Sequence, residues 1–219
     1  MSYKLKDDFK TMDTDVWFLK RLKKSNWKIT KHLDRQCIRI TVRKGDYQMK
    51  GNDGKLTERA ELTENNSLRV PTGTPMWYSF HFCFPKDFLI VDNRLVFAQW
   101  KQSTVLPESP FLSFRYVDGK LYFQIVYDQR RKKFFCDKKD WRGRWHKVLI
   151  YYKLDSNFHG ETKAWLDDKF IADYEGRLGS SQPTLDPYFK MGLYRDRIEK
   201  PQTIYLSHFR RSTNRKFCE

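Results

Sequence analysis

Gln99 and Lys101 stand two residues apart in the apolar stretch FAQWKQ (97–102), so an amide and an ammonium share one face of any strand formed there. The same spacing recurs with other groups able to hold an anion or carry a proton. Arg59 and Glu61 alternate with Ala60 and Leu62, and Tyr188, Lys190, Gly192 and Tyr194 alternate with Phe189, Met191 and Leu193. Arg39 with Arg43, Ser79 with His81, and Ser113 with Arg115 repeat the pattern. Guanidinium, ammonium and amide groups bind anions; a phenol, an imidazole or a lysine can exchange a proton with one. If these faces line one concave sheet, they form a basic groove studded with Tyr, Gln and His. Each group also has a plainer reading. An Arg-x-Glu pair can be a solvated same-face salt bridge, a strand-end tyrosine a packing edge, and His81 a hydrogen-bonded sheet residue. His146, beside Trp145, reads as structural.

The elements that must position these groups are short and alternating. CIRITVRKGD puts Ile38, Ile40 and Val42 on one face; MWYSFHFCF puts Met76, Tyr78, Phe80 and Phe82 opposite Trp77, Ser79, His81 and Cys83. In FAQWKQ, alternation assigns Val96, Ala98 and Trp100 to the core and Phe97, Gln99 and Lys101 to the other face. Asp118-Gly119 marks a hairpin in FLSFRYVDGKLYFQIVYD, and Asp167-Asp168 a second bend. A weak helical pattern is confined to DVWFLKRLKK, and the basic run 128–144 reads as a solvated loop or as a segment reaching over the groove. Many short strands with turn signals predict an all-β fold of two antiparallel sheets, a jelly roll, spanning residues 1–219 as one domain.

Composition narrows the partner. With 43 Lys and Arg against 27 Asp and Glu, the net charge of +16 draws polyanions by long-range steering. Nucleic acid, anionic membrane and acidic polysaccharide all fit that field. No RRM, KH, zinc-finger or helix-turn-helix signature is present, and no apolar run approaches the roughly 20 residues of a membrane span. The N-terminus, MSYKLKDDFKTMDTD, shows no apolar leader core. Cys37, Cys83, Cys136 and Cys218 lack metal-ligand spacing and read as free or structural.

RAEL (59–62), FAQWK (97–101) and YFKMGLYR (188–195), in that order, resemble the strands of jelly-roll polysaccharide lyases. The likeness is to the glucuronan lyase and heparin-lyase-I-like group, with a related trio in alginate lyases of the same architecture. It covers roughly residues 55–200. The resemblance implies β-elimination on a uronic-acid polymer, glucuronan first, with an acidic polysaccharide as partner and no required cofactor. A structural Ca²⁺ occurs in some relatives, though no acidic cluster here demands one. It further implies a monomer that works outside the cell or in a periplasm. By position, Arg59 and Gln99 would bind and polarise the uronate carboxylate, and Glu61 would orient Arg59. Tyr194 would be general acid. Lys190, Tyr188, Arg115, Ser113, Arg195, Arg39 and Arg43 would hold neighbouring sugars.

One residue departs from that pattern. Where the relatives carry His two residues after Gln, this chain has Lys101. A lysine base must lose its proton from an ordinary pKa of about 10.4, which crowding cations and desolvation favour. Alternatively Lys101 stays charged and clamps the carboxylate while Tyr194 or His81 takes the proton, or catalysis is lost and the chain is a binding module for acidic polysaccharide. A glycoside hydrolase needs two carboxylates at defined separation, and no Glu-x-Asp-x-x-Glu strand is present.

Overall fold

The computed structural model describes residues 3–20, 22–50, 53–104, 109–127, 130–136, 140–180 and 183–219. In chain order the strands are β1 (Leu5–Asp7), β2 (Trp17–Phe18), β3 (Trp27–His32), β4 (Arg35–Val42), β5 (Met49–Lys50) and β6 (Leu56–Glu64). They continue as β7 (Met76–Cys83), β8 (Leu95–Thr104), β9 (Leu112–Val117), β10 (Lys120–Tyr127) and β11 (Arg130–Phe135). The last are β12 (His146–Lys153), β13 (Asp155–Leu166), β14 (Lys169–Leu178), β15 (Pro183–Asp196) and β16 (Gln202–Ser212), followed by a single helical turn, α1 (Arg215–Cys218).

These strands form two antiparallel sheets, a jelly-roll sandwich. One sheet runs β14-β13-β12-β7-β16-β4-β3, with β1 also on β16; the other runs β11-β10-β9-β8-β15-β6-β2, with β5 also on β6. The alternating apolar residues of both meet between them. Phe189 of β15 lies 4.7 Å from Trp100 of β8 and, across the sandwich, 5.7 Å from both Phe80 and Phe209. Burial of such aromatic area is the main stabilising term. Within this core Glu64 accepts from Arg211 at 3.0 Å and from the Phe189 backbone N–H at 2.9 Å. That second bond pins β15 between Tyr188 and Lys190.

The hairpins fall where the dipeptides predict. Val117 pairs with Lys120 around Asp118-Gly119, and Leu166 with Lys169 around Asp167-Asp168. All four turn residues have positive φ, 50° and 70° in the first and 52° and 61° in the second, as a twist-matched two-residue turn requires. Three readings are corrected. DVWFLKRLKK forms no α-helix among its described residues: Trp17 enters strand β2 and the core, where its indole N–H donates to Asp7 at 2.7 Å. Residues 130–135 are not loop but strand β11 on the edge of the second sheet, paired with β10; residues 128–129 and 137–139 of the same run lie outside the described residues. And in β8 the alternation breaks. Val96 pairs with Arg115 and Ala98 with the next residue, Phe114, which leaves Phe97 as an extra residue in a bulge. Phe97 therefore turns into the core, 4.6 Å from Phe82, while Val96 lies outside the core cluster.

Candidate functional site

Strand order brings the three motifs together. β15 lies between β8 and β6, so YFKMGLYR is flanked by FAQWK on one side and RAEL on the other. The register then builds two rows across the face turned away from the core. Lys190, Gln99, Ser113, Gln124 and Lys133 face one another in turn across five strands. Arg59, Tyr194, Val96, Arg115, Tyr122 and Phe135 form the second row. Lys101, opposite Tyr188, continues the face on the far side of Gln99.

The floor of this face is polar yet almost closed to solvent. Glu61, Gln99, Lys190, Gln124 and Ser113 are 2%, 4%, 4%, 1% and 0% exposed, whereas Arg59, Lys101, Arg115, Tyr188 and Tyr194 remain partly accessible. Gln99 and Glu61 stand on strands separated by β15, and the β15 residue opposite Glu61 is Gly192. With no side chain there to intervene, the Gln99 amide N–H donates to Glu61. Gly192 has φ +139°, and β15 carries an extra residue between Met191 and Tyr194 in its register with β8. That irregularity sets where the Tyr194 ring emerges.

Cations gather around the two tyrosines. The Arg59 and Arg94 guanidinium carbons lie 4.3 and 5.5 Å from the Tyr194 ring centroid, and Arg69 and the Lys190 ammonium lie 4.5 and 5.3 Å from that of Tyr188. Burial pushes the Arg115 guanidinium below its ordinary pKa; Arg131 and Arg94 add to the effect, and Tyr122 and Tyr194 oppose it. Among the described residues Arg59 Nε, Glu61 Oε2 and Gln124 Nε2 are buried without a hydrogen-bond partner. Buried polar atoms normally have one, so these three are available to a ligand that brings both acceptors and donors. Among the described residues no three His, Cys, Asp or Glu side chains gather as a metal ion would require.

Of the residues singled out in the sequence, Arg59, Glu61, Gln99, Lys101, Ser113, Arg115, Tyr188, Lys190 and Tyr194 share this face. Four do not. Arg39 and His81 sit on β4 and β7 of the other sheet, and Arg43 follows β4, its guanidinium donating to the Ser25 carbonyl. Both sheets alternate polar and apolar residues, so period alone could not assign them. Burial, and then the neighbouring Arg35, His208, Lys147 and Arg210, also hold the His81 imidazole at a pKa of about 3. Arg195 is turned inward: its Nη2 and Nε donate to Glu58 at 2.8 and 3.0 Å, and the pair is 1% and 0% exposed. Glu61 bonds Gln99 rather than Arg59. Sequence reading missed Gln124, Tyr122, Arg69 and Arg94. Tyr122 and Gln124 were legible as outward positions of the hairpin opposite Arg115 and Ser113; the two arginines precede or follow strands and carry no periodic signal.

The outer face of the second sheet is cation-rich and amide-floored, and the comparisons give the class of protein that carries it. The polysaccharide lyase profile matches residues 10–210, so the chain belongs to that family and is a polysaccharide lyase. The endo-β-1,4-glucuronan lyase of the fungus Trichoderma reesei superposes with a TM-score of 0.69 at 13% identity, over 92% of this chain and 93% of that one. A variant of the alginate lyase Aly36B, solved with an alginate trisaccharide, superposes at 0.61 and 14% identity over 95% and 97%. The binding domain of Paraclostridial Mosquitocidal Protein 1 gives 0.55 at 12%, over 88% of this chain and 43% of that one. At such identities these likenesses show the fold. No curated protein matches the sequence significantly.

Proposed function

We propose that the enzyme cleaves a uronic-acid-containing polysaccharide, glucuronan in the first instance, by β-elimination in a basic groove on the outer face of the second sheet. The observation that carries this reading is the convergence of Arg59, Gln99, Lys101 and Tyr194 from three adjacent strands, with Arg59 Nε left unpartnered among the described residues. The hard step is removing a weakly acidic C5 proton beside a carboxylate. Arg59 and the remaining N–H of Gln99 neutralise that carboxylate, so the carbanion forms at lower cost. Glu61, accepting from Gln99, fixes the amide's orientation. A base takes the C5 proton, the electron pair closes the C4–C5 double bond, and the C4–O bond breaks. An acid then protonates the leaving oxygen.

Lys101 and Tyr194 lie on opposite sides of Gln99 along the sheet, one at each flank of a sugar centred there. Lys101 acts as base or as clamp on the carboxylate, and Tyr194 as acid; His81, on the other sheet, takes no part. Lys190, Tyr188, Arg115 and Ser113 hold adjoining sugars, joined by Arg69 and Gln124. The reaction asks for no cofactor, and a polymer substrate places the work outside the cell.

An ultraviolet time course against glucuronan, heparin, hyaluronan, chondroitin and alginate tests this, because each elimination creates a conjugated double bond. Absorbance rises with glucuronan and falls about 10²–10⁴-fold in rate in Tyr194→Phe and Lys101→Ala. Full activity in Tyr194→Phe refutes the assignment of the acid. Lys101, where the relatives carry His, keeps a second reading in play: a binding module on the same fold. Tight binding of one polymer with a flat trace on all of them would establish it.

A further inference from the structure

The outer face of the other sheet carries a second cluster that the proposed elimination does not use. His32 of β3 and Tyr205 of β16 stack face to face, 3.8 Å apart and 1° from parallel. The strand between them is β4, so the stack crosses it over buried Cys37, with Arg35 opposite His32 on one side and Arg39 opposite Tyr205 on the other. Trp145 extends the aromatic surface: its ring lies 6.3 Å from that of His32 and 5.1 Å from the Arg35 guanidinium. His81 and His208 adjoin, 5.1 Å apart, so three of the chain's five histidines share this patch.

Its charge is mostly positive. Asp8 is engaged by Arg210 at 2.7 Å and Asp168 by Lys147 at 3.1 Å, while Asp87 is the carboxylate that acts on Tyr205. Among the described residues Arg35 and Arg39 form no ion pair, and Arg35 Nη1, Arg39 Nε and His81 Nδ1 are buried without a hydrogen-bond partner. Desolvated, unpaired polar atoms of this kind are costly unless a partner reaches them. The two arginines stand four residues apart on one strand, roughly 13 Å between backbones. With the ring stack between them, a chain carrying a charge on successive units can meet both arginines, and its rings can lie on Trp145 and the His32–Tyr205 stack.

We propose that this patch is a second, non-catalytic site for an acidic polysaccharide segment, holding the polymer on the face opposite the one where it is cleaved. The choice of polysaccharide rests on the lyase reading above. The test follows the ring C–H signals of His81 and His208 by NMR. A glucuronate tetrasaccharide and an eight-nucleotide dT strand are titrated separately into the wild type and into Arg59→Ala/Gln99→Ala, which disables the other face and leaves the sugar uncut. Saturable shifts with the tetrasaccharide in both proteins are expected, with affinity about tenfold weaker in Arg35→Gln/Arg39→Gln. The proposal is overturned if the tetrasaccharide moves neither signal, if the shifts vanish in Arg59→Ala/Gln99→Ala, or if only the oligonucleotide shifts them. Failure of the elimination reading would instead show as no ultraviolet product, whichever way these histidines respond.

Discussion

Replacing Gly192 by alanine tests the link between the backbone of β15 and the chemistry of its outer face. A Cβ built at this position would stand 2.3 Å from the Ala60 carbonyl oxygen and 2.8 Å from the Glu61 Cα, both backbone atoms of β6. Ordinary contact for such a pair begins near 3.4 Å, so β6 and β15 must part by about 1 Å, enough to weaken the ladder bonds between them. The φ of +139° adds strain of about 1 kcal/mol for any residue with a side chain. The expected loss is about 3–4 kcal/mol, and Gly119→Ala calibrates it. Gly119 shares the positive φ, at +70°, but its nearest neighbour is the Ile90 side chain at 3.9 Å, so that variant should lose only about 1 kcal/mol. Urea midpoints of the three proteins give the difference. Product formation per folded molecule should also fall in Gly192→Ala, because Arg59, Glu61 and Tyr194 are carried by the two strands that separate. Equal losses in the two variants would refute the steric argument, and native activity in folded Gly192→Ala would refute the coupling to Tyr194.

Arg195→Met strands Glu58 as an uncompensated buried carboxylate; it should cost about 3–5 kcal/mol by urea midpoint and leave the KM of the folded fraction unchanged. Gln99→Glu sets a second carboxylate against Glu61 and removes the amide N–H; product formation should disappear at every pH where both are ionised, in the same ultraviolet assay. His81, with a folded pKa of about 3 against an ordinary 6.5, stays neutral in the native state while the unfolded chain takes up a proton. Stability should therefore fall as pH drops from about 6.5 towards 3, by at most about 1.4 kcal/mol per pH unit. His81→Asn should flatten the pH dependence of the urea midpoint across that window, and an unchanged slope would contradict the burial argument.

Much of the fold was legible because it rests on local rules. Period-two alternation gave the core residues Phe189, Met191 and Leu193 and their outward partners, and the two turn dipeptides gave the hairpins. Alternation failed at one place, and one residue was assigned against it. Phe97 and Val96 exchanged roles because the bulge in β8 inserts an extra residue, which no composition signal announces. Arg195 follows Tyr194 and so alternates inward as the pattern demands; its recruitment to the site had ignored the rule that placed its neighbours. The sheet assignment of Arg39 and His81 was not legible at all. In a sandwich both sheets present one apolar face to the same core, so an outward arginine on β4 reads like one on β6.

That ambiguity bears on how a charge of +16 should be read. Had every outward cation lined one groove, the excess would be a property of the proposed catalytic face alone. The strand order divides it: Arg59, Lys101, Arg115 and Lys190 go to the second sheet, and Arg35, Arg39, Lys147 and Arg210 to the first. Arg59 and Lys190 of the second sheet lie against Tyr194 and Tyr188, whereas Arg35 and Arg39 flank the His32–Tyr205 stack. A polymer long enough to pass around the edge of the sandwich can therefore meet cations on both faces while meeting Tyr194, the amide floor and Lys101 on only one. Removing charge from the first sheet should raise the KM for long polymers more than for tetrasaccharides, and should leave kcat for both unchanged.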